Sequence, residues 1–366
     1  MNKIFKRNFY NQAGFSLVEI MIGLVIGLLV TLVISQVMSI FEGQKRSTTG
    51  TADAQTNGAI ALYNIGRELQ FAGYPILPTG LAGVADSPLE CSVFSYGATG
   101  ITSIAPVSIT EGVATASVSA SDSITIRYGD SQSGGIPAII KANPVGQVVS
   151  VDNNFGCNVN DISLVSDGIN CDFSTVTAVT GTTTNSMSVT LQNIAGATVG
   201  TNISCLGTWS TVIYAVNPTT GNLERSVNGA AAVPVVAGVV NIQAQYGVSN
   251  TVNSNQVNQW VNASGAWAAP LSTANRNRIK SVRVAIVARN PKIEPAAVTN
   301  LCDQTASPPT GLCSWADLAA GGTITTASPA PTLNLLPGDA NWARYHYRVF
   351  ETVMPLRNIV WSKDTL

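Results

Sequence analysis

The sequence predicts an α+β protein in which one long N-terminal α-helix packs on a β-rich globular head stapled by disulfides. Three observations carry this prediction. No charged residue occurs from Ile20 to Phe41, which is typical of a helix that spans a membrane. The more polar stretch that follows keeps apolar residues near helical spacing. The remainder, 75–366, is rich in Gly, Ser, Thr, Asn and Pro and holds all six cysteines.

The first element is a short basic leader followed by an apolar helix. Basic residues precede the apolar run and no acid occurs before Glu19, a pattern that keeps the N-terminal end in the cytoplasm. As a helix, 20–41 is about 33 Å long, enough to cross a hydrocarbon core of about 30 Å. An ordinary signal peptide has a shorter run, and its small-residue cleavage site follows that run. Here Ala13-Gly14 lies before it.

One acid, Glu19, lies at the start of this apolar helix. A carboxylate in hydrocarbon costs several kcal/mol unless it has a partner, so it indicates a function. If the chain is cut after Gly14, Phe15 gains a charged α-amino group about one helical turn from Glu19. In a filament, the amine of one subunit can pair with Glu19 of a neighbour. The alternative is an acid that snorkels at the membrane interface.

Small residues recur every fourth position along the same helix, at Gly23, Gly27, Thr31, Ser35 and Ser39. Small residues at this spacing let helix backbones approach closely, so the row predicts a packed helix bundle. The alternative is that glycine is simply common in membrane helices.

The segment Gly14-Phe15-Ser16-Leu17-Val18-Glu19, with the charge-free run after it, resembles the class III signal of type IV prepilins. The resemblance implies cleavage after Gly14 by a membrane prepilin peptidase and N-methylation of Phe15. Glu19 then falls at the fifth mature position, where the family has an invariant glutamate. Residues 1–14 would be the leader and 15–41 the membrane and filament-core helix. One departure is Gln36, because many major pilins carry a helix-loosening proline at that position.

Residues 42–74 are predicted to continue the helix as an amphipathic segment whose apolar face needs a partner, for which a later sheet is the natural choice. Gly73 is placed to end the helix as its C′ residue. Three glycines, Gly50, Gly58 and Gly66, weaken the interior and leave open whether the helix is unbroken. The apolar residues near helical spacing are Ile60, Leu62, Ile65 and Leu69.

The head, 75–366, is predicted to consist of short alternating strands and long loops. Pro218-Thr219-Thr220-Gly221 is a hairpin signal between two of the strands. The loops near 78–90, 129–140, 250–275 and 303–340 are long enough to suggest binding roles, and 321–338 reads as a low-complexity surface excursion. The predicted strands are 123–128, 147–151, 186–191, 211–217, 223–227, 239–247, 279–288 and 345–353.

The six cysteines all follow the span, in the part expected to face the periplasm or the exterior, where an even count favours disulfides. Local closure favours Cys157–Cys171 and Cys302–Cys313, which leaves Cys91–Cys205. The alternatives are zinc, for which no C-x-x-C exists, and unpaired buried cysteines.

Charge argues against broad nucleic-acid binding, because charged residues make up 11% of the chain and the formal net charge is −1. A local basic group, Arg276, Arg278, Lys280 and Arg283, is predicted to form the solvated face of one strand.

No catalytic constellation is present, so the chain is predicted not to be an enzyme and no cofactor or metal is expected. His346 is the only histidine, and an exposed or edge-strand position is the favoured interpretation. The oxygen-rich stretch from Asp152 to Asp161 could bind calcium, but it lacks the glycine and terminal acid of a helix-loop-helix site. A solvated loop beside a disulfide is favoured.

Four later segments resemble the PilW family of minor pilins and, more distantly, the J-type minor pseudopilins of type II secretion. They begin at Arg67-Glu68-Leu69, Arg127-Tyr128-Gly129, Gln243-Ala244-Gln245 and Arg348-Val349-Phe350. The resemblance implies a minor pilin that is membrane-embedded before assembly and then primes type IV pili for twitching motility, adhesion or DNA uptake. Its partners would be other minor pilins, the major pilin, the prepilin peptidase, the inner-membrane assembly platform and a tip adhesin. The alternatives are a secretion pseudopilin, a pilus-tip adhesin, and an anchored periplasmic enzyme or binding protein.

Overall fold

The computed structural model of the protein describes residues 14–77, 88–113, 120–181, 187–194, 196–252, 254–303, 310–315 and 340–361. The chain divides into two compact units, Met1–Gly50 and Thr51–Leu366. Most of the predicted leader, 1–13, and the predicted surface excursion at 321–338 lie outside the described residues.

One α-helix, α1 (Leu17–Phe71), runs through 55 residues without a break. The three glycines that weaken its interior therefore do not interrupt it. Ser16 precedes the helix, and its hydroxyl accepts a hydrogen bond from the Glu19 amide at 3.2 Å, as an N-cap residue does. At the other end Gly73 has φ +77, the left-handed conformation expected of a C′ glycine. The predicted helix end is thus confirmed.

The described part of the head contains three β-sheets, two further short α-helices, α2 (Thr273–Arg276) and α3 (Arg357–Trp361), and short 3-10 turns. In chain order the strands are β1 (Val93–Ser95), β2 (Val107–Thr110), β3 (Ser123–Tyr128), β4 (Ala138–Ile139), β5 (Val148–Ser150), β6 (Ile162–Ser166), β7 (Asn170–Thr180), β8 (Ser188–Leu191), β9 (Asn202–Gly207), β10 (Ser210–Asn217), β11 (Asn222–Val227), β12 (Val233–Ala237), β13 (Val239–Val248), β14 (Gln259–Val261), β15 (Ile279–Ile293) and β16 (Tyr345–Pro355).

A four-stranded antiparallel sheet, in the order β14-β13-β15-β16, packs against the part of α1 that belongs to the head. Ile65 and Leu69 of α1 share one hydrophobic core with the inward-facing residues of β13 and β15. Two helix glycines allow close approach to β16. A Cβ at Gly58 would overlap the Phe350 ring, and a Cβ at Gly66 would lie 2.5 Å from the Met354 Cε. The glycines that cost helix propensity therefore permit the packing of helix on sheet.

A five-stranded sheet, in the order β12-β11-β10-β3-β2, covers another side of the same core. The predicted hairpin forms as β10 and β11, which pair in register from Val212↔Val227 to Asn217↔Asn222. Glu68 of α1 ties the helix to this sheet through Arg225 of β11, at 2.7 Å. Both side chains are largely buried, so the pair fixes the rotation of the helix about its own axis.

Asp122 joins the five-stranded sheet to the four-stranded sheet. Its carboxylate accepts hydrogen bonds from the Gly112 amide at 2.9 Å and from the Ala244 amide at 2.8 Å, and its own amide donates to the Ile242 carbonyl. Burial, the largest influence, raises the pKa of Asp122 to about 7, against the effect of the two amides and with a smaller contribution from the Glu111 carboxylate. The junction therefore binds a proton more readily than an exposed aspartate does.

This pKa predicts that the head loses stability between about pH 4 and pH 7. In that window the folded chain binds more protons than the unfolded chain, so the free energy of unfolding falls as the pH rises. Asp122 alone would contribute a change of order 4 kcal/mol, at about 1.4 kcal/mol per pKa unit. Chemical denaturation of the full chain in detergent at pH 4, 5.5 and 7 measures this slope. Asp122→Asn should flatten it, and an unchanged slope would assign the effect to other groups.

The remaining sheet has the order β4-β9-β6-β7-β8-β5, and β1 pairs in parallel with β7. An isolated bridge between Ile140 and Val151 joins β4 to β5 and closes the sheet into a small barrel. The barrel has its own core, to which all six strands contribute. Its members include Ala138, Val149, Val165, Val176, Val189 and Ile203.

The disulfides correct two of the predicted pairings. The structure forms the predicted Cys302–Cys313 bond, but the other two bonds are Cys91–Cys171 and Cys157–Cys205. The predicted pairs Cys157–Cys171 and Cys91–Cys205 are therefore wrong.

The reason lies in the hairpin of β6 and β7, where Ile162 pairs with Thr175 and Ser166 with Cys171. Cys157 precedes the start of β6, so the hairpin carries Cys171 to the opposite end of the strands. Cys205 in β9 pairs with Ser163, beside the start of β6, and so comes within reach of Cys157. Strand pairing thus outweighs the short separation in sequence.

Candidate functional site

The N-terminal segment presents the predicted processing site ahead of the helix. Gly14, Phe15 and Ser16 are non-helical, and the Phe15 side chain is 81% exposed. Glu19 occupies the first turn of α1, where the positive end of the helix dipole favours an acid. Ser16 and Glu19 also have the spacing of a capping box, in which a glutamate at the third helical position supports the N-cap. The structure shows one half of this motif, the hydrogen bond from the Glu19 amide to the Ser16 hydroxyl.

The apolar half of α1 has no buried residue in its most apolar window. The helix is long and apolar enough to cross a membrane by length and composition. Gly23 and Gly27 lie one turn apart, and a Cβ at either position would meet no atom within 4 Å. The helix therefore presents a solvent-exposed apolar surface with small residues along it, which in water is stable only when covered.

The predicted solvated basic face is wrong. Arg276, Lys280 and Arg283 are 7%, 2% and 1% exposed. The Lys280 ammonium donates to the Val252 carbonyl at 3.2 Å. These charged groups bind the loops that cover the sheet and do not meet solvent. Their burial could not be predicted from the local sequence, because the residues that cover them come from distant segments of the chain.

Arg283 lies at the centre of this region. Its guanidinium is 4.8 Å from the Trp260 ring centre and 4.2 Å from that of Trp315, and it donates to the Gln245 side chain. Burial lowers the pKa of Arg283 to about 10, and the charge of Glu351 opposes that shift. Trp260 of β14 and Trp315 of the loop after Cys313 thus cover Arg283 on the outer face of the four-stranded sheet.

Arg276 likewise binds a segment from a distant part of the chain, here the one that contains Leu89 and Cys91. Its guanidinium donates to the Leu89 carbonyl at 2.6 Å and to the Cys91 carbonyl, and it stacks on Phe94 at 4.8 Å. Cys91 is bonded to Cys171 in β7. Arg276 therefore fixes the segment through which a disulfide reaches the barrel, a role that its sequence position alone does not indicate.

Other candidate residues occupy unremarkable positions. His346 in β16 is half exposed, and its Nε2 lies 3.7 Å from Glu294. Asp152 and Asp161 accept hydrogen bonds from the Ile139 and Asn158 amides, so their oxygens serve the barrel's own loops. Across the described residues no group of three or more His, Cys, Asp or Glu side chains could hold a metal ion.

Comparison with known protein families identifies two segments. Residues 10–35 match the prokaryotic N-terminal methylation motif, and residues 214–358 match the family of the type IV pilus-assembly protein W, PilW. The first contains Gly14 and Glu19. The second extends from β10 through β16, and so includes the whole four-stranded sheet that packs on α1.

Among solved structures, the chain is similar to a type IV-like pilin from Thermus thermophilus, with 11% identity and a TM-score of 0.34. That alignment covers 83% of this chain and 96% of the pilin. No curated protein matches the chain.

Proposed function

We propose that this chain is a type IV pilin-like protein of the PilW family, a minor pilin that helps to initiate and assemble type IV pili. The observation that carries the proposal is the presence of both family matches in one chain. The methylation motif opens α1, and the PilW segment supplies the sheet on which the same helix packs. The processing signal, the filament helix and the head thus lie in one polypeptide chain.

The N-terminal residues take the following roles. A prepilin peptidase cuts after Gly14, and Phe15 becomes the methylated N-terminus. Glu19 pairs with the α-amine of a neighbouring subunit, while Gly23 and Gly27 allow close helix contact. Both charges of the pair would leave water together, which is tolerable only because each offsets the other.

Each of the four segments of the chain has its own role. Residues 1–14 are the leader, 15–41 anchor the precursor and later enter the filament core, 42–74 link helix to head, and 75–366 form the head. Before assembly the chain crosses the inner membrane once, with its N-terminus in the cytoplasm and its head in the periplasm. Afterwards it lies in the pilus. The basic leader supports this orientation.

The partners are other minor pilins, the major pilin, the peptidase and the inner-membrane assembly platform, with a tip adhesin as a further partner. Pilins are structural proteins, and we assign the chemistry to the peptidase and the assembly ATPase. The pili would serve twitching motility, adhesion or DNA uptake.

Deleting the gene for this chain tests the proposal. We expect the number of surface pili to fall strongly and to recover when the full chain is restored, while secretion of folded exoproteins is unaffected. Electron microscopy and an assay of secreted enzymes measure the two. Normal pili with impaired secretion would reject the pilus role and assign the chain to a type II secretion pseudopilin.

A further inference from the structure

Two of the three disulfides interleave along the chain. The first joins Cys91 to Cys171, with a sequence separation of 80, and the second joins Cys157 to Cys205, with a separation of 48. Cys157 lies inside the loop that the first bond closes, and Cys205 lies outside it. Neither bond therefore joins cysteines that follow one another in the sequence.

The pair that meets most often in an unfolded chain is not a native one. Cys157 and Cys171 are 14 residues apart (171 − 157). The probability that two points of a flexible chain meet falls with about the 3/2 power of their separation. Cys157 therefore meets Cys171 about sixfold more often than it meets Cys205, 48 residues away. Cys171 meets Cys157 about 14-fold more often than it meets Cys91, 80 residues away.

The proposed orientation adds to this bias, because the head is then exported in chain order. Cys171 leaves the membrane 34 residues ahead of Cys205 (205 − 171). At a synthesis rate of roughly 5–20 residues per second, this interval is about 2–7 s. Disulfides can form within seconds. The hairpin of β6 and β7 does not protect Cys171 in that time, because an isolated hairpin is marginally stable.

The folded barrel excludes a bond between Cys157 and Cys171. Cys171 lies opposite Ser166 on one side of β6. Cys205 lies opposite Ser163 on the other side. Three residues along β6 and two strand spacings across it place the Cα atoms of Cys171 and Cys205 roughly 14 Å apart. Because the Cα atom of Cys157 is 5.2 Å from that of Cys205, it is about 9 Å or more from Cys171. A disulfide spans at most about 7 Å between Cα atoms.

We propose that this chain is a substrate of a thiol–disulfide isomerase, which acts on the head before the barrel closes. The bond that forms first in the unfolded chain cannot exist in the folded one, so a disulfide exchange reaction must come between oxidation and folding. The inference rests on the proposed function, because it needs the head to lie in an oxidising compartment. The partner is an enzyme whose active-site thiolate exchanges disulfides.

The exchange converts nested bonds into interleaved ones without net loss of electrons. A thiol oxidase first takes two electrons and two protons from each nested pair, Cys157–Cys171 and then Cys91–Cys205. The isomerase thiolate attacks the Cys157 sulfur, so the bond to Cys171 breaks, a mixed disulfide forms and Cys171 leaves as a thiolate. That thiolate attacks the Cys91 sulfur, which forms Cys91–Cys171 and releases the Cys205 thiolate. The Cys205 thiolate attacks Cys157 in the mixed disulfide, forms Cys157–Cys205 and returns the enzyme thiolate.

Burial gives the exchange its direction. Cys91 and Cys171 are fully buried in the scaffold core, and Cys205 is 2% exposed in the barrel core. Attack on a disulfide requires access to one of its sulfurs. The native bonds are thus closed to the enzyme, whereas a chain that holds the Cys157–Cys171 bond cannot close the barrel and keeps these sulfurs accessible. Exchange therefore runs towards the native pairs.

The test maps the disulfides of the full chain in cells that contain or lack a periplasmic disulfide isomerase, with the thiol oxidase active in both. Free thiols are blocked with N-ethylmaleimide, and the unreduced peptides are identified by mass spectrometry. With the isomerase we expect the native bonds to predominate. Without it, Cys157–Cys171 should exceed Cys157–Cys205 by about sixfold. Cys302–Cys313 joins consecutive cysteines 11 residues apart, so it should form equally in both strains.

Two double variants give a matched control. Cys91→Ser/Cys171→Ser leaves one native pair in the barrel and no competing partner near it, so that pair should form without the isomerase. Cys302→Ser/Cys313→Ser removes as many cysteines but keeps the interleaved pairs, so it should depend on the isomerase as the wild type does.

Equal amounts of Cys157–Cys205 in the wild type with and without the isomerase would overturn the proposal. Dependence on the isomerase that persists in the variant without interleaved pairs would overturn it as well. Reoxidation of the reduced full chain in detergent gives the same comparison outside the cell. There, added isomerase should speed the replacement of Cys157–Cys171 by Cys157–Cys205, and an unchanged rate would contradict the proposal.

Failure of the proposed function looks different. If the head stayed in the cytoplasm, all six cysteines would be blocked as free thiols in both strains. The purified chain would still need the isomerase for rapid formation of its interleaved bonds.

Discussion

Replacing Glu19 by alanine is expected to reduce surface pili to the level of a strain that lacks this chain. In the proposed filament, the substitution leaves the α-amine of a neighbouring subunit buried without its counter-charge. Removing one member of a buried ion pair costs roughly 3–5 kcal/mol, which is a loss of about 100-fold or more in association. Electron microscopy counts the pili, and immunoblotting of sheared pili measures incorporation of the variant.

The capping geometry at Ser16 requires a sharper control, because Glu19 lies in a capping-box position. Glutamine serves a capping box as glutamate does, but it carries no charge. Glu19→Gln should therefore fail like Glu19→Ala if the ion pair is the essential role. Ile20→Ala controls for loss of side-chain volume at a neighbouring exposed position. Normal pili containing the glutamine variant would reject the ion pair and leave a capping role.

Replacing Gly58 by leucine is expected to destabilise the head by roughly 2–3 kcal/mol or more, because overpacking a filled interface costs about 1–3 kcal/mol and the new side chain overlaps Phe350 from its first atom. Helix propensity alone would favour the change by about 0.8–1 kcal/mol. The two effects have opposite signs, so the measured sign shows which is larger. Thermal or urea unfolding of the full chain in detergent measures it.

Two companion variants isolate the contact. Ala59→Leu places the same side chain on the exposed face of the helix and should leave stability within about 0.5 kcal/mol of wild type. Gly58→Leu/Phe350→Ala removes the obstructing ring and should be less destabilised than the sum of the single variants. Simple additivity would mean that the helix does not pack on β16 as described.

The N-terminal helix and several strands follow from local pattern. Alternation located β3, β13, β15 and β16, and Pro218-Thr219-Thr220-Gly221 located the hairpin of β10 and β11. In these places the signal lies in the residues themselves, as a period of two or a turn residue at the correct offset. The apolar run of α1 is readable for the same reason.

Of the six barrel strands, β5 and β8 were predicted, as 147–151 and 186–191, but the other four were not readable in this way. All six residues of β9 are buried, and β7 faces the barrel core at Val176 and the scaffold core at Phe173. Strands buried on both faces lose the alternation that marks a half-exposed strand. The pairing of β3 with β10 was hidden for a related reason, because antiparallel partners far apart in sequence leave no local sign of pairing.

The basic segment around Arg283 shows why the burial of a charged group could not be predicted from the sequence. Its charges alternate with apolar residues, and that pattern fits a solvated face as well as a covered one. The residues that decide between the two are Trp260 in β14 and Trp315 in a later loop, because both rings lie against the Arg283 guanidinium. The disulfides behave likewise, since Cys171 pairs according to the hairpin and not according to its nearest cysteine in sequence.

The central claim is that this chain is processed as a prepilin, and intact-mass and N-terminal peptide spectrometry test it most directly. The full chain is expressed with and without an active prepilin peptidase. We predict cleavage after Gly14 and a methylated Phe15 only when the peptidase is present. A leader that stays intact with active peptidase, or a cut beyond residue 30, would contradict the claim and leave a membrane-anchored or secreted β-rich protein.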